Sequence, residues 1–240
     1  MKTLGKFSVI LLLLVTTTSC FFDGVKGNRN VITQQRKISS DFDAIDVSEG
    51  IDVYITIGDK VSLSLEADEN LHDIILTEVN DGTLHIHADK NIWSAKKRKV
   101  YLTALSINEI NASSGADVRS ENTIKSENFK IRATSGSDVT LQLRVDNLTC
   151  STTSGADARL KGKANSFTAK STSGSAIKAQ DLETESCVAK VTSGADVYVN
   201  VTGTLDANAT SGGDIKYVGN PKIIQENSSS SGSIRNKQNS

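Results

Sequence analysis

Five aspartates, Asp117, Asp138, Asp157, Asp196 and Asp214, recur at close to twenty-residue spacing, and such an acidic row can do two kinds of chemistry. Neighbouring carboxylates can act as acid and base on a glycosidic bond, or they can hold a cation through oxygen ligands. Each aspartate stands two residues after a Ser-Gly pair, in the run Thr-Ser-Gly-[Ala/Ser]-Asp or a one-residue variant of it, so the residue type repeats along the chain instead of converging on one point. Stacked one strand apart, two carboxylates repel by about 1 kcal/mol even in water, so something local must offset the row. One expectation is that each Asp accepts a backbone N–H of its own turn. The other is a cation held between coils, against which Ala176 interrupts the row and the spacing is twice that of Gly-Gly-x-Gly-x-Asp calcium rolls.

Other chemistry is sparse. His85 and His87 sit two apart, a spacing that can chelate a metal, but with no cysteine nearby a solvated pair is the simpler expectation, and His72 stands apart. No Gly-x-Ser-x-Gly elbow occurs, and a serine before every turn glycine is a turn residue rather than a nucleophile. Carbohydrate-cutting clefts use aromatic platforms, yet the array offers almost none beyond Tyr198 and Tyr217, with Trp93 lying upstream of it. No catalytic, metal or cofactor constellation is therefore expected. Formal net charge is −1, and Lys96-Lys97-Arg98-Lys99 is the one long run of a single sign, expected as a solvated turn or edge strand. That balance provides no footprint for nucleic acid.

The elements that carry these residues follow from the repeat. Gly115, Gly136, Gly155, Gly174, Gly194, Gly212 and Gly232 occupy nearly identical contexts at spacings of 21, 19, 19, 20, 18 and 20. Three residues after the first six stand Val118, Val139, Ala158, Ile177, Val197 and Ile215, and apolar residues also recur seven and five residues before the glycines. Apolar positions two apart mark strands with one buried face. Each repeat is thus two short strands flanking a glycine turn, and coils of about twenty residues stack as an all-β parallel β-helix. Gly50 with Asp52, Val53 and Ile55 repeats the order, so the helix begins before the obvious array. Residues 60–105 interrupt it with alternating apolar runs and a hairpin signal at Asn80-Asp81-Gly82, which predicts antiparallel strands extending and capping the N-terminal end.

The ends read differently. Lys2 and Lys6, the apolar run Val9 to Val15 and the small residues before Cys20 form a secretory signal over 1–19. The pattern resembles a bacterial lipobox, with Thr17 in place of the usual leucine, which makes Cys20 the expected lipid attachment site and 20–37 an anchor and linker. The β-helix is expected over 38–227, with the repeat array at 106–227 and a frayed tail at 228–240. Cys150 and Cys187 fall at inward positions two coils apart, beyond disulfide reach, and are expected as buried free thiols.

Phe42 to Gly58 (FDAIDVSEGIDVYITIG), Glu66 to Leu71 (EADENL), Asp81 to Leu84 (DGTL) and the Thr-Ser-Gly array together resemble the head GIN domain family of adhesin head domains. The resemblance spans about residues 38–220 and implies a right-handed parallel β-helix in a cell-envelope lipoprotein, anchored in the outer membrane by its lipid. It also implies a non-catalytic adhesive or binding role toward a glycan or protein on a flat face. A periplasmic scaffold is the alternative, and a polysaccharide-active enzyme the third reading.

Overall fold

A computed structural model describes residues 24–237, so residues 1–23, where the signal segment and Cys20 are expected, and the last three residues lie outside the described part. In chain order the strands are β1 (Gly24–Lys26), β2 (Val31–Arg36), β3 (Ala44–Val47), β4 (Asp52–Ile57), β5 (Ser62–Asp68), β6 (Ile75–Asn80), β7 (Thr83–Ala88), β8 (Asn91–Ser94), β9 (Arg98–Ala104) and β10 (Glu109–Ala112). They continue as β11 (Asp117–Ser120), β12 (Ile124–Ala133), β13 (Asp138–Thr152), β14 (Asp157–Thr172), β15 (Ala176–Thr192), β16 (Asp196–Ala209), β17 (Asp214–Val218), β18 (Ile223–Ser228) and β19 (Ser233–Asn236). Seventeen of them join one continuous sheet that winds as a β-solenoid of about 7 turns, roughly 19 residues each.

Seven paired corners fix the stack, and in each both residues are left-handed: Ser154 and Gly155 have φ of 54° and 73°, and the pattern repeats from Glu49-Gly50 to Ser211-Gly212, with Ser230-Ser231 closing the last coil. The Ala156 N–H closes the turn onto the Thr153 carbonyl at 3.3 Å. The corner glycine N–H then donates to the serine carbonyl of the next coil, as in Gly155 to Ser173 at 3.2 Å and Gly174 to Ser193 at 3.1 Å. Glycine suits the second corner position because it has no Cβ to clash at positive φ. At the last corner the repeat is shifted by one residue from its sequence alignment. Ser230 and Ser231 take the two left-handed positions, and Gly232 occupies the following site, where a Cβ would meet the Ala209 carbonyl oxygen at 2.2 Å.

Because identical corners stack, like residues stack. One buried column runs Val53, Val118, Val139, Ala158, Ile177, Val197, Ile215, and another Ile45, Ile110, Ile131, Cys150, Ala169, Ala189, Ala207. Phe129, Leu148, Phe167, Cys187 and Leu205 form a third. The two thiols are free and buried in different columns, and burial pushes both up, Cys187 to about 12. Where the small inward apolar residues give way to Thr152, Ser171 and Ser175, their hydroxyls bond one another at 2.9 to 3.0 Å, so the polar atoms are satisfied within the core. Variation in coil length is absorbed opposite the corners. There Asn147 donates to Asn128 and Asn165 to Asp146, and Gly162 takes φ 114° with its α-carbon against the Leu143 carbonyl.

The N-terminal end departs from the simple stack. The interrupting segment is not wholly antiparallel: β5 and β6 are, but β7 and β9 pair in parallel with β3 and β4 and make a coil of their own. That coil lies beyond the one formed by β3 and β4, although it comes later in the chain, so residues 105–108 cross back to start β10 on its other side. Residues 24–36, expected as linker, form β1 against β8 and β2 against β5. Asp68, fully buried, ties this cap: its carboxylate accepts N–H bonds from Arg29 at 2.9 Å, Lys96 at 3.0 Å and Lys97 at 3.1 Å. Burial pushes its carboxyl up, but the three N–H bonds together hold it below the usual aspartate range. At the other end the tail completes a last coil, with β19 paired to β17.

Two measurements check this account. Gly155→Ala, whose Cβ meets nothing within 4 Å, should cost only about 1 kcal/mol for the left-handed backbone, whereas Gly162→Ala, with a Cβ 2.0 Å from the Leu143 oxygen, should cost about 3 kcal/mol or more by urea unfolding. A reversed order would contradict the corner geometry. Since the Asp68 folded-state pKa is depressed, its contribution is fully present above about pH 4 and lost as pH falls through the lower folded value. Asp68→Asn should therefore cost about 2 kcal/mol near neutrality, with the gap to wild type closing in acid.

Candidate binding faces and the corner charge ladder

The aspartate row lies just after the corners, running Asp52, Asp117, Asp138, Asp157, Ala176, Asp196, Asp214 on successive coils. The structure corrects the expected means of offsetting it. Asp117, Asp138, Asp157 and Asp214 are paired with Arg119, Arg159, Lys178 and Lys216, which stand two residues beyond the acidic row on four of the coils, and not with backbone N–H groups of their own turns. Arg159 bridges two coils, with Nη1 2.8 Å from Asp138 and Nη2 3.0 Å from Asp157, and Lys178 reaches Asp157 at 2.8 Å. Arg119 and Lys216 sit 3.9 Å from Asp117 and Asp214. Burial, then Asp52 and Asp138, raise the Asp117 carboxyl, while the bond to Asp138 raises Arg159. Among the described residues no group of three or more His, Cys, Asp or Glu side chains could hold a metal ion.

The turn glycines Gly50, Gly115, Gly136, Gly155, Gly174, Gly194 and Gly212 all hold positive φ and serve the corners. His72 is buried against the Gln34 side chain and the Ile32 and Ala67 carbonyls. His85 and His87 project from the outer side of β7, half-buried instead of solvated, and the His87 Nε2 is enclosed without a hydrogen-bond partner. The basic run is largely occupied: Lys97 pairs with Glu66 at 2.6 Å, Arg98 donates to the Glu49 carbonyl, and Lys99 donates to the Tyr54 hydroxyl.

The strand before each corner carries a different surface. Its outward threonines, Thr134, Thr153, Thr172, Thr192 and Thr210, form one row, and Arg132, Ser151, Lys170, Lys190 and Asn208 form a second, two residues earlier. Between them runs a groove of about 680 Å³ across five coils. Four intervals at the interstrand spacing make it roughly 19 Å long. Arg132 lies 3.9 Å from Glu109, but Lys170 and Lys190, which are cross-strand neighbours, have no acidic partner among the described residues. The sequence shows both rows, but that these lysines lack an acidic partner is visible only once every coil is placed.

Arg159→Gln would leave Asp138 and Asp157 facing each other without their shared cation. The expected cost is at most about 1 kcal/mol at low ionic strength and close to nothing in 1 M salt, where screening acts within about 3 Å. A cost independent of salt in chemical unfolding would mean that Arg159 acts through packing.

No helix among the described residues is long and apolar enough to cross a membrane. A search of curated proteins finds no match. Among solved structures, a "putative adhesin" from Bacteroides fragilis superposes with a TM-score of 0.82 at 27% identity, covering 89% of this chain and 100% of that one. A "Putative lipid binding protein" from Parabacteroides distasonis gives 0.72 at 25% identity, covering 89% and 99%. A "putative adhesin" from Parabacteroides merdae gives 0.72 at 22% identity, covering 90% and 99%, a likeness of fold. Residues 41–221, from the coil of β3 and β4 through the end of β17, match the family model described as "Putative auto-transporter adhesin, head GIN domain", and the chain belongs to that family.

Proposed function

We propose that the chain is a non-catalytic, adhesin-like binding module of the bacterial cell envelope, and that its groove before the corners holds an extended acidic glycan. The observation that carries this is the contrast between the two sides of the corner. Arginines and lysines pair with four of the aspartates after it, whereas Lys170 and Lys190 face the groove without an acid. Two ammonium groups on adjacent strands repel by about 1 kcal/mol in water, and a polyanion in the groove relieves that repulsion. Threonine hydroxyls along the same groove can meet the hydroxyls of a glycan coil by coil. The secretory signal and Cys20 support attachment to the outer membrane through an N-terminal lipid. A scaffolding role is favoured by a separate observation, the edges of β18 and β19 that no further strand covers among the described residues, with Ile224 42% exposed.

The test uses the chain without residues 1–19 on immobilised acidic glycans, neutral glycans and matrix proteins. Retention on the acidic glycans is expected, about tenfold weaker in Lys170→Glu/Lys190→Glu with unchanged melting. In a bacterial host the full chain should incorporate labelled fatty acid, and Cys20→Ala should not. Retention on none of the surfaces, with protection from protease in intact cells, would replace the binding reading by the scaffold.

A further inference from the structure

A second surface lies on the other side of the corner, at the N-terminal end, and neither the family description nor the groove accounts for it. Tyr54 on β4 and Tyr101 on β9 stack with ring centroids 5.2 Å apart and planes 20° from parallel. They are cross-strand partners only because the β7–β9 coil inserts beyond the β3–β4 coil. Tyr101 is 42% exposed, one of few large apolar side chains left open. On the antiparallel strand next to it the partner is Ser64, followed by Gln35 on β2, so small and polar residues continue the row beyond the ring. Beside the rings, Thr56, Thr103, Lys99 and Glu121 line a pocket of about 450 Å³.

The polar groups there are placed and balanced. Lys99 donates to the Tyr54 hydroxyl at 3.1 Å and lies 5.0 Å from the Tyr54 ring centroid. Glu66 accepts from Lys97 at 2.6 Å and from the Tyr101 hydroxyl at 3.2 Å, which fixes the outer ring. The cationic place over an aromatic face is already filled by Lys99, so a quaternary or ammonium ligand is disfavoured. Lys97 and Lys99 match Glu66 and Glu121 in charge, so the pocket makes no demand for an ionic ligand. What remains is a paired aromatic surface bordered by two threonine hydroxyls and the exposed Glu121 carboxylate.

We infer that the Tyr54–Tyr101 pocket is a binding site for a neutral saccharide, whose apolar C–H face lies on the tyrosine surface and whose hydroxyls bond Thr56, Thr103 and Glu121. The site is independent of the acidic-glycan groove and holds one or two sugar units, in line with the volume of pockets that enclose small ligands. Two sites of different preference on one rigid body would let the head engage a heterogeneous surface with gain from multivalency.

The experiment measures retention of the chain without residues 1–19 on immobilised neutral oligosaccharides, with linear glucan, mannan and galactan fragments as the probes. Tyr101→Ala and Glu121→Ala are each expected to weaken retention about tenfold. Tyr101→Phe, which keeps the ring, should stay within about threefold of wild type by the same scale. Glu121 is exposed and outside the core, so its variant separates loss of binding from loss of fold, and melting curves check both. Lys170→Glu/Lys190→Glu should leave neutral retention unchanged, so the groove and this pocket succeed or fail separately. No retention of any neutral probe by wild type, or equal retention by wild type, Tyr101→Ala and Glu121→Ala, would overturn the inference.

Discussion

Everything in this molecule depends on one repeated backbone device, a corner of two left-handed residues whose glycine N–H reaches the serine carbonyl of the next coil. A two-residue turn leaves little freedom in the angle between the strands it joins, and the bond to the next coil fixes how far each coil can slide on its neighbour. Register is therefore set at the corner and propagates outward along both strands. The Val118-to-Ile215 column and the Ile45-to-Ala207 column are its direct result. Length differences between coils are pushed to the opposite bend, where Gly162, Gly203 and Gly219 approach carbonyl oxygens too closely for any Cβ.

Stacking like on like is favourable for apolar residues and hydroxyls but costs free energy for charges. The chain meets that cost differently on either side of the corner. After it, Asp117, Asp138, Asp157 and Asp214 each have a cation within 4 Å on their own or a neighbouring coil, so most of the acidic row is offset, by a modest amount because the pairs are part-exposed. Before it, the lysine pair is left uncompensated beside a long threonine groove. Charge that the fold does not itself neutralise is where an external partner gains most, which is why the groove rather than the acidic ladder carries the functional reading.

The two ends are handled by different means. At the N-terminus a coil formed late in the chain is placed outside the first coil and sealed by β2, β5 and β6, with buried Asp68 holding three backbone N–H groups. The same detour creates the Tyr54–Tyr101 stack. At the C-terminal end β18 pairs with β16 and β19 with β17, and among the described residues no further coil covers them.

The sequence by itself determined the solenoid, its coil length, the corner positions from Gly50 to Gly212, the buried columns and the burial of Cys150 and Cys187. These follow from local patterns that recur every coil, and repetition amplifies a weak local signal into a strong one. It misplaced the last corner, because a glycine at 232 mimics the motif while Ser230 and Ser231 take the left-handed positions. It also missed how the aspartates are offset, since Arg159 reaches Asp138 on the preceding coil, a contact 21 residues away in the chain. The parallel pairing of β7 and β9 and the meeting of Tyr54 with Tyr101 were equally out of reach. Alternating apolar residues give a strand its buried face but not its direction or neighbour, and only the tertiary structure, by choosing which edge each strand joins, decided those.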